Sequence, residues 1–557
     1  MADTKREIER KYESDESGLP DLTGVAGVAT VVDKGVADLD AVYYDTPDER
    51  LAAAAITLRR RTGGDDAGWH LKFPVSSGVR DEIRAPLSDT VPRILAQLVR
   101  SRVRDTDLVP LVRIRSSRDV RDLLDADGAL LAEVSVDAVH AERLTGEGRG
   151  AQWSEIEVEL ADGRDPDFLD KVDKKLRKAG VRAAASPSKL ARALSETAPS
   201  GAGTSGPGKK AKEPKGTKEG KAGKAGKAGA AKGGKGTKAA TAGQAGTADR
   251  AAKGGKAATA GEASGKGVPE PQRVAVDYVL DYVRAQRDAI VGLDPAVRRD
   301  LPDSVHQMRV ATRRLRSSFR SYGKVLDRTF TDPIGEELKW LAGELGVDRD
   351  QEVLTERLTS ALTDLPRTLL IGPVRTRLRT WSHARSSGSR RRLIAVLDGK
   401  RYLDLLNTLD ALLAEPPLLK AAEGDPEKVL TKAVLKDVGR VSALVRQALD
   451  VPSSAERDLA MHEARKKAKR ARYAAEAASG FDDRFKDRVR AMKSLQTLLG
   501  DHQDSVMARE ALRGLAAQAQ GAGESSFTYG VLWGREERRA AEIEAALPEA
   551  YERCCAS

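Results

Sequence analysis

The sequence predicts an α+β protein in two parts, an N-terminal antiparallel β-barrel with flanking helices and a C-terminal all-α domain of two duplicated four-helix units. Short runs that alternate charged and apolar residues occupy residues 1–198 and predict β-strands. Helically spaced Leu, Ala, Arg and Glu occupy residues 269–545. A histidine-led basic motif occurs twice in that second part, which indicates an internal duplication.

Composition limits the class of protein. The 557 residues are 40% hydrophobic and 32% charged, and they contain no stretch of about 18 apolar residues that would span a bilayer. Cys554 and Cys555 are the only cysteines, adjacent and at the end of the chain, so neither a disulfide framework nor a four-cysteine zinc site is expected. We therefore expect a cytoplasmic protein without a membrane anchor.

The net charge of +11 is unevenly distributed. Residues 1–200 carry −6, residues 201–267 carry +11 and residues 268–557 carry +6. The segment 199–268 consists largely of Lys, Gly, Ala and Thr, with almost no large apolar side chain to offset the entropy of ordering it. We expect a disordered linker there, whose lysines attract polyanions at low salt. The sequence then divides into a barrel domain (1–198), the linker, a helical domain (269–545) and a C-terminal tail (546–557).

The first predicted strand carries a distinctive charge pattern. In the run Glu7-Ile8-Glu9-Arg10-Lys11, alternation places Glu7, Glu9 and Lys11 on one face. Carboxylate oxygens suit Mg²⁺, and a lysine beside them suits a phosphate that shares the metal. A solvated face of an edge strand would show the same alternation, so repetition of the pattern elsewhere decides between the two interpretations.

Other predicted strands repeat the pattern with both signs of charge. Like-facing charges occur at Glu155, Glu157 and Glu159, at Glu133 and Asp137, at Arg59 and Arg61, at Lys72, at Arg80, Glu82 and Arg84, and at Arg113 and Arg115. Interior and exterior residues alternate along every strand of a closed barrel, so in a barrel all of these charges would lie in the interior. The lumen would be charged, and helices at 91–103 and 166–180 would cover the apolar outer faces. A polyanion with bound metal would leave neither sign unpaired.

An ordered set of motifs carries a family resemblance over about residues 3–197. The motifs are Glu7-x-Glu9-x-Lys11, Tyr43-Tyr44-Asp45-Thr46-Pro47, Leu58-Arg59-Arg60-Arg61, Trp69-His70-Leu71-Lys72, Arg80-Asp81-Glu82, Glu155-x-Glu157-x-Glu159 and Ser188-Lys189. This part of the chain resembles the CYTH family of triphosphate tunnel metalloenzymes. The resemblance implies an eight-stranded antiparallel tunnel that binds a triphosphate together with Mg²⁺ or Mn²⁺.

The resemblance also implies roles for individual residues. Glu7, Glu9, Lys11, Glu157 and Glu159 would be catalytic. Phosphate oxygens would be bound by Lys11, Arg59, Arg61, Lys72, Arg118 and Lys189. The metal ligands or water-positioning groups would be Glu7, Glu9, Asp137, Glu157 and Glu159, supported by Glu82, Glu133 and Glu155. Arg118 has the opposite parity to Arg113 and Arg115, so either Arg118 lies past the strand end or a residue such as Arg113 is the phosphate ligand.

Metal-assisted hydrolysis is the mechanism that this set suggests. Cations would neutralise the transferring phosphoryl group, the metal would bridge phosphate oxygens and a carboxylate would orient the attacking water. A covalent phosphohistidine would have His70 as its candidate.

The helical part contains a repeated basic stripe. His306, Arg309, Arg313 and Arg316 recur 156 residues later as His462, Arg465, Lys469 and Arg472. Offsets of 0, 3, 7 and 10 place each set on one helical face. A second motif, from Lys339 through Gly346 to Asp350, recurs 154 residues later, from Lys493 through Gly500 to Asp504. Two stripes facing each other would form one basic groove, in which the two aspartates orient the cations.

The helical pattern over about residues 270–545 resembles the CHAD family, whose histidines and basic residues are thought to bind inorganic polyphosphate. The second half departs from the first, with Ser494 for Trp340 and Gln503 for Arg349. Nucleic acid is not the expected partner. The chain is only 4% aromatic, whereas binders of single strands usually stack bases on aromatic side chains, and it contains no duplex-reading motif.

The expected function is metal-dependent hydrolysis of inorganic triphosphate or short polyphosphate, with the helical domain binding polyphosphate. Two alternatives remain open. One is a CYTH enzyme acting on ATP, as an adenylate cyclase, or on thiamine triphosphate. The other is a non-catalytic protein that binds polyphosphate or associates with polyphosphate granules. The sequence sets no oligomeric state.

Overall fold

A computed structural model describes residues 3–14, 18–146, 150–198, 273–346, 349–386, 389–452 and 455–556. The predicted linker 199–268 lies outside these described residues. The N-terminal part forms a closed antiparallel barrel with strand order β1-β5-β4-β3-β2-β6-β7-β8. The strands are β1 Asp3–Glu13, β2 Thr30–Asp45, β3 Thr57–Thr62, β4 Gly68–Ser76, β5 Val79–Ala85, β6 Val109–Leu124, β7 Leu130–Arg143 and β8 Gly150–Leu160. The predicted barrel is confirmed.

Strand register brings the predicted charges together. β1 lies between β5 and β8, with Glu7 opposite Arg80, Glu9 opposite Glu159 and Lys11 opposite Glu157. Because side chains that face each other across a ladder share one side of the sheet, these charges lie on the same face. That face is the interior of the barrel.

Helices cover the apolar outer faces of the barrel where the sequence predicted them. Helix α1 (Arg93–Val103) buries Leu95 and Val99 against Trp69 and Ile83. Helix α2 (Asp167–Lys178) buries its own apolar face against Val158 and neighbouring residues of β7 and β8. Both helices therefore stabilise the barrel without entering its interior.

Helix α3 (Lys189–Glu196) packs on the inward-facing residues at one end of the barrel. Leu190 and Ala193 join a buried cluster that includes Ile114, Val139 and Ala141. The Ser188 side chain caps the helix by accepting a hydrogen bond from the Ala191 backbone N–H at 3.1 Å. The cap fixes the start of α3, and thereby the position of Lys189.

The C-terminal part is helical. Its helices are α4 Ala275–Arg298, α5 Ser304–Ser321, α6 Arg328–Glu344, α7 Arg349–Thr363, α8 Val374–Ser386, α9 Ser389–Asp398, α10 Lys400–Ala414, α11 Pro426–Asp450, α12 Ala455–Ala478, α13 Arg484–Gly521 and α14 Phe527–Ala556. The two copies of the basic stripe lie on α5 and α12, and the two copies of the second motif lie at α6 and α13. No helix in the described ranges combines the length and hydropathy that a membrane span requires.

The segment that the sequence set apart as a C-terminal tail is helical. Residues 546–556 continue helix α14. Ile543, Leu547 and Cys554 are buried in a cluster with residues of α11, α12 and α13. Helical spacing of these apolar side chains keeps one face of α14 in the core, which explains why the helix extends this far.

Helix α1 also contacts the helical part directly. The Arg104 side chain donates hydrogen bonds to Asp410 at 3.0 Å and to Asn407 at 3.2 Å. The Ser101 hydroxyl donates to the Val291 carbonyl at 3.2 Å. The two parts are therefore joined by a packed, hydrogen-bonded interface as well as by the chain between them.

Candidate functional site

The interior of the barrel contains a charged cavity of about 510 Å³. Its basic lining residues are Lys5, Lys11, Lys34, Arg59, Arg61, Lys72, Arg80, Arg84, Arg118 and Lys189. Its acidic lining residues are Glu7, Glu9, Asp65, Asp66, Glu82, Glu133, Glu157 and Glu159. Charged side chains from all eight strands and from the first residue of α3 thus meet in one space, as the alternation of charge along the strands predicted.

Lys189 and Arg118 lie at the centre of one ion-pair cluster. The Lys189 ammonium lies 2.8 Å from Asp137 and 2.7 Å from both Glu155 and Glu157. Arg118 donates two hydrogen bonds to Asp137, at 2.7 and 2.8 Å, and one to Glu157 at 2.7 Å. Burial alone would raise the pKa of Glu157, but Lys11, Lys189 and Arg118 bring that pKa well below its usual range. The cluster is therefore ionised and internally paired.

A second group of carboxylates is less completely paired. Glu159 lies opposite Glu9 on β1 and opposite Glu133 on β7, and Lys5 pairs with Glu159 at 2.6 Å. Burial and the charge of Glu159 raise the pKa of Glu133. Burial also raises the pKa of Glu7, although Lys72 lies 2.6 Å from it. Glu9 is paired more fully, since Lys11 lies 3.0 Å from it and lowers its pKa despite burial. Carboxylate oxygens are the donors that Mg²⁺ and Mn²⁺ prefer, so this cluster of glutamates fits such an ion.

The structure separates the five predicted metal ligands into these two groups. Glu7, Glu9 and Glu159 belong to the less completely paired group, whereas Asp137 and Glu157 are held by Lys189 and Arg118. Asp137 is fully buried and does not line the cavity. An ammonium already occupies the space among the oxygens of Asp137, Glu155 and Glu157, so this trio does not fit a metal ion as it stands.

The open question about Arg118 is answered by the register of β6. Arg118 lies within the strand, opposite Asp137, and lines the cavity. Arg113 has the opposite parity and pairs with Asp40 on the outer face. The prediction that Arg113 lines the site is therefore corrected. Ile114 faces inward like Arg118. Because Ile114 is apolar and the outward-facing Arg113 and Arg115 are charged, the charge pattern of the sequence indicated the wrong face of this strand.

Several cavity residues received no role at the level of sequence, among them Lys34, Asp65 and Asp66. Lys5 shares the parity of Glu7, Glu9 and Lys11, so the alternation of β1 already contained the signal for it. Tyr43 was part of a recognised motif but received no role. Its hydroxyl accepts a hydrogen bond from Arg59 at 3.3 Å. Burial alone would raise the pKa of Tyr43, but Arg59, Lys189 and Lys72 bring it below its usual value.

His70 does not present a nitrogen to the cavity. Its Nδ1 lies 2.8 Å from Glu82, and its Nε2 lies 2.9 Å from the carbonyl of Asp66. The ring is buried, and both nitrogens face acceptors. His70 therefore positions Glu82, and the structure gives no support to a phosphohistidine at this residue.

A second cavity, of about 490 Å³, lies in the helical part. Its lining includes His306, Arg309 and Arg313 of α5, and His462, Arg465, Lys469 and Arg472 of α12. We call it the helical pocket. The two predicted stripes thus meet in one space, with α5 held to α12 by a hydrogen bond from Tyr322 to the Ala474 carbonyl at 2.6 Å. Arg316 is the member that does not line the pocket, and it lies 3.7 Å from Glu336.

The two copies of the second motif support the two stripes in the same way. A Cβ at Gly346 would lie 2.8 Å from the guanidinium of Arg309, and one at Gly500 would lie 3.4 Å from that of Arg465. Glycine in each copy therefore leaves room for an arginine of the stripe. Asp504 lies 4.0 Å from Arg465, in keeping with an orienting role. The side chain of Asp350 is outside the described residues.

Lys469 occupies an unusual environment in the helical pocket. Burial, followed by the charges of Arg465, Arg313 and Arg309, lowers the pKa of Lys469 to about 7. Because guanidinium groups keep their proton at any ordinary pH, Lys469 is the cation of this group that can lose its charge. The neighbouring guanidinium groups therefore disfavour the charged form of Lys469.

The fold and its two charged cavities define a protein with a CYTH domain followed by a CHAD domain. Residues 5–194 match the CYTH domain and residues 281–513 match the CHAD domain. An uncharacterized protein of Mycobacterium tuberculosis (strain CDC 1551 / Oshkosh) is 36% identical over 561 residues, which cover 97% of this chain and 95% of that protein. The chain belongs to this CYTH-CHAD family.

Two solved structures are similar to parts of the chain. PptA from Streptomyces chartreusis is 21% identical, with a TM-score of 0.43, and the match covers 50% of this chain and 100% of that one. The CHAD domain from the plant Ricinus communis is 24% identical, with a TM-score of 0.40, and the match covers 51% of this chain and 92% of that one.

Proposed function

We propose that the barrel hydrolyses inorganic triphosphate, or the ends of short polyphosphate, with Mg²⁺ or Mn²⁺, and that the helical pocket binds polyphosphate. The observation that carries the proposal is the meeting of Arg59, Arg61, Lys72 and Lys11 with Glu7, Glu9 and Glu159 in one cavity. A triphosphate with a divalent cation satisfies both signs of charge at once. Membership of the CYTH family supports the same reaction.

Phosphate oxygens are bound by cations on neighbouring strands. Arg59 and Arg61 project from β3 and Lys72 from the adjacent β4, so their donors face the same side of the cavity. Burial and the charges of Arg59 and Arg118 lower the pKa of Arg61, which an anion in the cavity would reverse. These side chains would hold the triphosphate and neutralise the charge that spreads over the transferring phosphoryl group.

The carboxylates divide the remaining tasks. Glu9, Glu133 and Glu159 lie together across β1, β8 and β7 and would hold the cation, which when bound supplies charge neutralisation of the phosphate oxygens. Glu7, whose pKa is raised by burial, accepts a proton more readily than an ordinary glutamate and would orient the attacking water. Lys72 fixes the Glu7 side chain through its 2.6 Å contact.

The composition of the cavity lining favours a substrate without a nucleobase or other aromatic ring. Of the described residues that line the cavity, Tyr43 alone is aromatic, and its hydroxyl is engaged by Arg59. A nucleotide or thiamine ring would find few flat apolar surfaces there. Inorganic triphosphate uses only the charged groups that the cavity supplies.

The experiment compares phosphate release from inorganic triphosphate, short polyphosphate, ATP and thiamine triphosphate by the full chain, with each metal. We expect inorganic triphosphate to be preferred. Arg118→Ala and Arg113→Ala are matched variants of one strand, one inside the cavity and one outside. Activity should fall at least tenfold in Arg118→Ala and stay near wild type in Arg113→Ala. Equal activity of wild type and Glu7→Gln would reject the site.

The helical pocket is tested separately by direct binding of polyphosphate to the full chain. Arg309→Ala and Arg465→Ala remove one guanidinium from each stripe and should each weaken binding. Arg328→Ala removes an exposed arginine that pairs with Asp332 on α6, and serves as the control. Unchanged binding by both pocket variants would refute the pocket, whatever the outcome for hydrolysis.

A further inference from the structure

We propose that Asp458, His502 and Glu544 form a binding site for a zinc-type divalent metal ion in the helical part, separate from the barrel. The three residues come from α12, α13 and α14, which pack together in one hydrophobic cluster. One ligand atom from each lies within 4.8 Å of the others. One imidazole nitrogen and two carboxylate oxygens are typical zinc ligands.

The distances fit a metal better than they fit hydrogen bonds. His502 Nε2 lies 3.4 Å from Asp458 Oδ1 and 3.4 Å from Glu544 Oε1. Hydrogen bonds between nitrogen and oxygen are usually about 2.7–3.2 Å long. Ligands of a tetrahedral zinc ion, at bond lengths of about 2.0–2.1 Å, lie roughly 3.3–3.4 Å apart. The two separations are therefore those of adjacent vertices of a zinc tetrahedron.

The outer oxygens of both carboxylates are already engaged. Arg457 donates to Glu544 Oε2 at 2.7 Å, and Arg509 lies 3.7 Å from Asp458 Oδ2. The arginines leave Oε1 and Oδ1 directed at His502. Hydrogen-bonded carboxylates of this kind are held in fixed orientations, as ligating carboxylates in metal centres usually are.

Burial supports the same assignment. His502 is only 1% exposed, so its imidazole is aimed inward and cannot exchange its neighbours for water. Asp458 is partly exposed, with 31% of its side-chain surface accessible, which provides a route for the ion and a place for water as a fourth ligand. Three protein ligands and one open position make a complete tetrahedral site.

The position of the site connects it to the helical pocket. Asp458 precedes His462 by one helical turn on α12, and His502 is followed directly by Gln503 and Asp504, which line the pocket. A metal that joins α12, α13 and α14 would therefore hold the second stripe in place from behind. Asp458 lies four residues before His462, and the corresponding position before His306 is Pro302. The site therefore belongs to the second half alone.

The test uses the full chain after removal of metals by a chelator. Co²⁺ replaces Zn²⁺ in tetrahedral sites and gives intense visible absorption there, whereas oxygen-only octahedral sites give weak bands. We expect the wild type to show tetrahedral Co²⁺ bands that Zn²⁺ abolishes, and to bind one more Zn²⁺ than His502→Gln. Identical Co²⁺ spectra and zinc contents in these two proteins would overturn the proposal.

Two controls separate this site from others. His140→Gln removes an exposed histidine of the barrel, and Glu7→Gln changes the barrel carboxylates; both should keep the tetrahedral bands. If His502→Gln fails to fold, as circular dichroism would show, Asp458→Asn replaces it, because Asp458 is partly exposed. Zinc affinity should then fall at least tenfold. Unchanged zinc affinity in Asp458→Asn would reject the site.

Discussion

The guanidinium of Arg309 fills the space that a side chain at position 346 would occupy. A Cβ built on Gly346 lies 2.8 Å from Arg309 Cζ, closer than real Cβ contacts. The glycine lies just beyond the end of helix α6 and the arginine lies on α5, so a residue without a side chain after one helix leaves room for a cation on another. The same arrangement recurs at Gly500 and Arg465, where the Cβ would lie 3.4 Å from the guanidinium.

Gly346→Ala is therefore expected to weaken polyphosphate binding several-fold while leaving the fold intact. The methyl group displaces the end of a flexible side chain, so we expect the free energy of unfolding to change by no more than about 1 kcal/mol. Titration with polyphosphate and chemical denaturation measure the two effects. Gly500→Ala should have the smaller effect on affinity, because its contact is longer.

Gly514→Ala is the matched control for these variants. No atom lies within 4 Å of a Cβ at Gly514, which is in the interior of α13. We expect it to stabilise the protein by about 0.5–1 kcal/mol and to leave affinity unchanged. Wild-type affinity in Gly346→Ala would show that the position of Arg309 does not matter for binding.

Binding at the helical pocket should be coupled to proton uptake by Lys469. Its pKa is lowered to about 7 in the protein alone, and a bound polyanion would raise that pKa. Affinity should therefore fall as pH rises above about 7, by at most tenfold per pH unit. Calorimetric titrations in buffers of different ionisation enthalpy measure the proton uptake directly. Lys469→Arg, which cannot lose its charge, should bind with a flatter pH dependence, and an unchanged dependence would contradict the assignment.

The lowered pKa of Lys469 should give the free energy of unfolding a pH dependence opposite to that of polyphosphate affinity. The folded-state pKa of Lys469 is below its unfolded value, so the unfolded chain binds more protons between about pH 7 and pH 10. This group therefore favours folding more as pH rises through that window. Denaturation at pH 7 and pH 9 should show a smaller gain in Lys469→Arg than in the wild type.

Lys189→Met should destabilise the barrel strongly. It would leave Asp137, Glu155 and Glu157 without the ammonium that lies within 2.8 Å of each. Removing one partner of a buried ion pair typically costs about 3–5 kcal/mol. Lys11, Lys189 and Arg118 keep the pKa of Glu157 low, so the contribution is present above about pH 4 and is lost as pH falls through the folded pKa. Denaturation at pH 7 and at low pH checks the prediction, and equal losses at both values would contradict it.

Arg104→Ala should loosen the contact between the barrel and the helical part. It removes the hydrogen bonds to Asp410 and Asn407. We expect thermal unfolding to split into two transitions, or to broaden, because the two parts would no longer unfold together. Arg93→Ala, which changes an exposed arginine at the start of α1, the helix that Arg104 follows directly, is the control. A single sharp transition in Arg104→Ala, at the wild-type temperature, would count against a stabilising interface.

Much of the barrel could be predicted because strand alternation is a local property. Glu7, Glu9 and Lys11 share a face whenever that segment is extended, and the same holds for Glu157 and Glu159. Arg113 and Asp137 show the limit. Whether the odd-numbered residues of β6, such as Arg113, face inward or outward depends on the pairing of β6 with β2 and β7. Whether Asp137 binds a metal ion or an ammonium group depends on the position of Lys189 at the start of α3.

The sequence by itself determined the two-part organisation, the charged interior face of the strands and the duplicated basic stripes, because periodicity and repetition are carried by residue order alone. Tertiary structure decided which side chains lie next to those charges. It placed Arg118 inside and Arg113 outside, extended α14 to Ala556, placed the half-buried Lys469 among arginines, and brought Asp458, His502 and Glu544 together from three helices. Distances between side chains that are remote in sequence, and the exclusion of water around them, exist only once the chain is folded.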